Sequence, residues 1–159
     1  MNKQQCLEFL NLANDEAIKG VGNGDGGPFG SVITNQWGEI IATGHNCVLV
    51  NNDPTAHGEI VTIRKACAKL ATYDLTGCTL FTNAEPCPMC ATAIVWANIE
   101  TVYFANTVEQ TNALGFRDGA LYAYLNGQMS AGFAQKIHLP LPAATKLFEQ
   151  YHNDNQILY

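Results

Sequence analysis

The chain is 159 residues long and carries 8 Lys and Arg against 14 Asp and Glu, a formal net charge of −6 at pH 7. That length suits one domain with a sizeable core. The excess of acid argues against a nucleic-acid partner, because phosphate neutralisation needs a basic face. The basic residues are scattered, apart from Arg64, Lys65 and Lys69 on one helical face, which favours a small, uncharged or weakly charged substrate.

No stretch of about eighteen apolar residues is present, so no membrane-spanning helix is expected. The polar start Met1-Asn2-Lys3-Gln4-Gln5 has no signal-peptide character, and a cytoplasmic location is the expectation. Of the 6 cysteines, Cys6, Cys47, Cys67 and Cys78 lie in apolar or helical surroundings, as free thiols do in reducing compartments.

In chain order, Gln5 to Val21 places Cys6, Leu10, Ala13, Ala17 and Val21 on one helical stripe, which Gly20, Gly22, Asn23 and Gly24 then end. Gly24-Asp25-Gly26-Gly27-Pro28 lacks the Lys-Ser/Thr ending of a P-loop and the strand that precedes a dinucleotide fingerprint. It reads as a tight, backbone-exposed loop beside a pocket. Phe29 to Thr34 and Glu39 to His45 form a hairpin around the turn Asn35-Gln36-Trp37-Gly38. A polar loop from Asn46 to Ala56 follows.

His57 heads an amphipathic run in which Ile60, Ile63, Cys67 and Leu70 share a stripe, so it should begin a helix. Thr79 to Asn83 reads as a buried strand leading into Glu85-Pro86-Cys87-Pro88-Met89-Cys90. Cys87 and Cys90, three apart and ahead of an apolar run, should occupy the first turn of a second helix and face the same way. Such a position lowers thiol pKa values, as a bound metal does further.

One imidazole and two thiols make three ligands of the kind zinc takes, and a catalytic zinc site keeps its fourth position for water. A structural zinc knuckle would need a fourth Cys or His, and the chain has no second C-x-x-C. Glu59, two residues after His57, is left to shuttle protons. H-x-E followed by P-C-x-x-C is the signature of zinc-dependent nucleobase deaminases.

Thr101 to Ala105 reads as another strand, Asn106 to Gly119 as loop, Ala120 to Asn126 as a short helix, and Pro142 to His152 as the last helix. Ser130 to Leu139 stays ambiguous. His45, His138 and His152 have no ligand spacing and read as surface or core histidines. Strands alternating with helices imply an α/β architecture with some parallel pairing.

With these motifs, the Gly27-Pro28-Phe29-Gly30 loop, and the segments Gly44-His45-Asn46 and Asn52-Asp53-Pro54-Thr55-Ala56-His57, the chain resembles the cytidine deaminase superfamily. Within it, Gly115-Phe116-Arg117-Asp118 and the terminal Tyr159 are most similar to bacterial guanine deaminases. The resemblance implies a three-layer α/β/α fold with a mixed central sheet of about five strands. It further implies one zinc-dependent deaminase domain over 1–159, with 153–159 a tail that closes the active site, and a homodimer that could swap those tails.

By position, the resemblance makes Phe29 the aromatic that stacks on a purine, Asn46 the amide that reads its edge, and Asp118 an acceptor for guanine N–H groups. Tyr159 closes the pocket, and Trp96 adds to its wall. The implied reaction is hydrolytic deamination of guanine to xanthine and ammonia. The alternatives are a deaminase of cytosine, guanosine or a triazine, a tRNA adenosine deaminase, or a catalytically silent zinc scaffold. Three departures from the family pattern stand out: Gly58 for the usual Ala, Asn83-Ala84 for small or thiol residues, and Arg117 for an acidic residue.

Overall fold

The computed structural model describes residues 1–128, 134 and 136–154. The first helix, α1 (Lys3–Asn23), is capped at its start by Asn2, which accepts from the Gln5 N–H while Gln5 returns a bond to the Asn2 backbone. It ends where Gly24 takes the left-handed conformation at φ 76°, a stop that costs glycine nothing. Its buried residues Cys6, Ala13, Ala17 and Gly20 form one stripe, the face that the helical period of the sequence sets apart.

A hairpin follows, β1 (Gly30–Thr34) and β2 (Ile40–His45). In its turn, Asn35 Oδ1 accepts from the Trp37 and Glu39 N–H groups and Gly38 sits at φ 83°. The segment between β2 and His57 contains a short helix, α2 (Val48–Asn51). Then come α3 (Gly58–Leu70), β3 (Thr79–Ala84), α4 (Pro88–Trp96) and β4 (Thr101–Asn106).

The sheet runs β2-β1-β3-β4. β1 pairs antiparallel with β2 and β3, whereas β3 and β4 pair parallel and are joined through α4, as parallel neighbours require. The mixed sheet expected from the sequence is present, with four strands among the described residues.

Side chains alternate across each strand, and the alternation sorts the core into two layers. Val32 and Phe81 pack with Cys6 and Ala13 of α1. Their neighbours Ile33 and Leu80 face the other way, onto Ala66 of α3 and Ile94 of α4. All four strand residues are fully buried, each contributing about 1.5–3 kcal/mol of transfer free energy. On α3 the deepest residues are Thr62 and Ala66, while Leu70, expected on the apolar stripe, is 42% exposed at the helix end.

The sequence reading of 106–119 as loop needs correction. A helix, α5 (Val108–Ala113), occupies part of it, while α6 (Asp118–Leu125) is the short helix read over 120–126, begun two residues earlier. The cause is a capping box: Thr107 accepts from the Gln110 N–H and Gln110 bonds back to the Thr107 N–H, which satisfies amides that would otherwise be orphaned. The Glu85 carboxylate takes the Val108 N–H as well.

The chain divides into two compact units, 1–129 and 130–159. Within the second unit, α7 (Pro142–Asn153) carries proline in its first turn. Its Leu147 and Phe148 are exposed. No helix among the described residues is long and apolar enough to cross a membrane.

Gly30 is where α1 meets the sheet most closely: a Cβ there would collide with the Ala13 carbonyl oxygen and come within 2.6 Å of the Ala17 nitrogen. Gly30→Ala should therefore push α1 off β1 and lower stability by about 1–3 kcal/mol. A urea unfolding midpoint equal to that of the parent chain would contradict this packing.

Candidate active site

His57 and Cys87 hold equivalent places. Each is the residue before its helix, extended at φ −65°, ψ 157° and φ −63°, ψ 167° respectively, and neither side chain caps its helix. Their reactive atoms meet, with His57 Nδ1 3.6 Å from Cys87 Sγ. Cys90 lies in the first turn of α4, and one donor atom from each of His57, Cys87 and Cys90 falls within 4.8 Å of the others. Both thiols are buried.

The electrostatics of this group favour a cation. The Cys90 thiol and His57 both hydrogen-bond to Cys87, and together they bring the Cys87 thiol down to about 4 against its burial. The Cys90 thiol moves the opposite way, held protonated by its bond to Cys87 and by burial. Two sulfurs thus share one proton where a divalent ion would allow both to be thiolates. An imidazole with two thiolates is a donor set suited to zinc.

Glu59 stands outside the three-donor cluster and close to it. The Cys90 thiol donates to its Oε2 at 3.5 Å, and burial pushes the Glu59 carboxyl up from its ordinary range. Only 6% of the residue is exposed, and that exposure opens onto a cavity of about 620 Å³ that His57 and Cys87 also line.

Phe29, Asn46 and Asp118 line the same cavity, so the fold gathers these residues from segments far apart in sequence. Phe29 meets Phe116 edge-on, with ring centroids 4.8 Å apart and planes at 77°. Asn46 is almost fully buried, and its Oδ1 accepts from the Gly27 and Val48 N–H groups. With the oxygen so occupied, the amide nitrogen of Asn46 is its donor group at the cavity. Asp118 opens α6, and burial, then the negative Cys87, push its carboxyl up.

Two other candidates fall differently. Trp96 is 62% exposed at the far end of α4 and is not among the residues lining the cavity; the helix turns its donor-bearing start, not its end, toward the site. Tyr159 lies outside the described residues.

Sequence reasoning missed several contributors. Phe116, Met89 and Leu121 supply apolar wall, and no short-range pattern marks them. Arg117 reaches the cavity beside Asp118, yet no ion pair joins the two among the described residues. Tyr122 donates to the Pro86 carbonyl at 2.9 Å and so ties α6 to the loop that carries Cys87.

Asn83 explains itself in the structure. Its Oδ1 accepts from the Gly30 N–H at 3.0 Å and its Nδ2 donates to the Pro28 carbonyl at 2.9 Å, so one side chain brackets Phe29 on both sides. Gly58 also has a contact reason. A Cβ there would lie 3.0 Å from the Phe29 carbonyl oxygen, tight enough to press the start of α3 against the same loop.

Residues 3–106 match the family model for the cytidine and deoxycytidylate deaminase zinc-binding region. The chain belongs to that family, and its His57, Cys87 and Cys90 are the group able to bind the metal the family is described by. More particularly, it is 48% identical over 114 residues to guanine deaminase of Bacillus subtilis (strain 168), covering 72% of each chain. The X-ray structure of guanine deaminase from Bacillus subtilis superimposes with a TM-score of 0.86 at 39% identity, over 96% of this chain and 95% of that one. A tRNA-specific adenosine deaminase of Aquifex aeolicus (strain VF5) is 34% identical over 90% of this chain and 91% of its own length.

Asn83→Ala strands the Gly30 N–H and the Pro28 carbonyl together. The expected loss is about 1–3 kcal/mol, the cost of leaving buried polar groups unpaired; calorimetry finding no change in the unfolding transition would show that water replaces the amide without penalty.

Proposed function

We propose that this protein is an aminohydrolase that converts guanine to xanthine and ammonia. The observation that carries the reading is a buried carboxylate, Glu59, set beside a three-donor cluster at a cavity with room for a base, in a chain this similar to a guanine deaminase. In this reading His57, Cys87 and Cys90 hold zinc, which supplies Lewis acidity that makes water nucleophilic at neutral pH.

Glu59 moves the protons. It accepts one from the attacking water and passes it to the ring nitrogen beside the amino-bearing carbon. It then carries the second to the departing amine, which leaves as ammonia. A carboxyl raised by burial is suited to this double role, because a group that both takes and gives protons works best with a pKa near the operating pH.

The wall residues orient the base. Phe29, steadied by Phe116, offers a face for stacking. The Asn46 amide nitrogen donates to a ring acceptor. Asp118, when ionised, accepts from N–H groups, of which guanine presents more along that edge than adenine. A tRNA substrate is disfavoured by the net charge of −6, since a polyanion would meet a like-charged partner.

The assembly we propose is a homodimer in which the C-terminal tail, 153–159, closes the active site with Tyr159 and can be swapped between subunits. Its support is the apolar surface each unit leaves exposed: Val95 and Phe104 in one, Leu147 and Phe148 in the other. Six free cysteines suit the reducing cytoplasm.

Purified protein given guanine should release ammonia and xanthine in equal amounts. Glu59→Gln should retain its zinc and lose about 10²–10⁴-fold in kcat, whereas Cys87→Ser should lose the metal itself. Turnover of adenine or cytosine in place of guanine would refute the substrate assignment, and full activity in Glu59→Gln would refute the proton route.

A further inference from the structure

His45 is a buried titratable group that the chemistry does not use. It is 8% exposed, and each ring nitrogen meets a carboxylate: Nδ1 lies 3.2 Å from Glu16 Oε2, and Nε2 lies 2.9 Å from Asp25 Oδ2. The ring therefore bridges two acidic side chains. The cluster has been given room, because a Cβ on Gly20 would stand 2.5 Å from His45 Cδ2. The charged neighbours on the packed elements are Glu16 of α1, itself paired with Lys19 at 3.7 Å, and Asp25 of the glycine loop.

What this cluster holds is the wall of the cavity. Asp25 is fixed at its side chain by His45 and Asn23, and its backbone carbonyl accepts the Leu49 and Val50 N–H groups at 3.0 Å each, anchoring α2. The next residue, Gly26, runs so close to Asn46 that a Cβ would collide with its side-chain oxygen, and Gly27 donates to that same oxygen. Gly26, Gly27, Asn46, Val48 and Leu49 all line the cavity, and each is within a few residues of this cross-link.

We propose that His45 is a positioning residue for base recognition: a side-chain cross-link from α1 to the glycine loop that fixes the orientation of Asn46. This builds on the guanine reading above. Without the imidazole, the Glu16 and Asp25 carboxylates lose their common partner and the bridge between α1 and the glycine loop is gone. The long helix and the sheet strand hold their positions, so the loop and α2 give way and Asn46 loses the Gly27 bond. The metal donors start α3 and α4 and are not touched by the change. The defect therefore falls on substrate binding and spares metal content.

The test compares the zinc-loaded parent chain with His45→Ala, Asp25→Asn, and His45→Ala combined with Glu16→Gln and Asp25→Asn. For His45→Ala the expectation is a KM for guanine raised about tenfold with kcat within about threefold, the pattern of lost ground-state binding, and unchanged bound zinc. Amide exchange at Gly27, Leu49 and Val50 should quicken in the same variant. The charge-neutral combination lacks the cross-link as well, so its KM should stay raised, at about the level of Asp25→Asn. Asp25→Asn, which keeps the His45–Glu16 pair, should shift KM in the same direction and guards against a His45 variant that does not fold.

An unchanged KM in His45→Ala, a loss that tracks zinc content, or a neutral combination that regains the parent KM would overturn the proposal. Amide exchange needs no substrate, so it separates the two readings. Should the parent chain fail to act on guanine while exchange still quickens at these amides, the cross-link stands and the substrate is wrong. Unaltered exchange would remove the cross-link whatever the substrate.

Discussion

Two helix N-termini, each with the fractional positive charge of its unpaired amides, converge where α3 and α4 begin, with His57 and Cys87 3.6 Å apart. Two like dipole ends pointed at one spot are tolerable only with negative charge between them. The Cys87 thiol, brought down to about 4, supplies it. The rest of the structure serves this convergence. The sheet fixes the spacing of the two helices, β3 delivers the chain to Cys87, and α1 closes the opposite face so that the sheet can be buried on both sides.

The site divides into a floor and a wall built on different principles. The floor, holding His57, Glu59, Cys87 and Cys90, hangs on helix starts and inherits the rigidity of packed elements. The wall, from Gly26 to Phe29 with Asn46 and α6, is made of turns held by side-chain bonds across long sequence separations: Asn83 to Gly30 and Pro28, Asn46 to Gly27, Tyr122 to Pro86. Under the proposed function, reaction type belongs to the floor and substrate choice to the wall. Homologous enzymes acting on different bases can therefore share the first while differing in the second.

This division also governs what the sequence disclosed. The floor was legible because ligand chemistry demands particular residue types at helical spacing, and such local demands survive as motifs. The strands and α1, α3, α4 and α7 were legible from periodicity and from the glycine and proline stops. α5 was missed although Thr107-Val108-Glu109-Gln110 spells a capping box, because the segment is too polar to show an apolar stripe. Asn83 and His45 looked like a departure and a bland histidine. Their roles depend on partners 53 and 20 or more positions away, which no window along the chain can see. Trp96 was misplaced for the converse reason: helical spacing says which residues share a face but not which end of the helix meets the site.

The starts of α3 and α4 have a further implication. A residue immediately before a helix ordinarily spends its side chain on the helix, a service worth about 1 kcal/mol; here both such residues are diverted, and neither helix is capped. An ion clasped by His57 and Cys87 would tether the two helix starts to one another in place of the missing caps. Cofactor occupancy and folding are on this account one equilibrium seen from two sides. A demetallated chain is then a less durable protein as well as an inert one, and its fraying begins at the catalytic end.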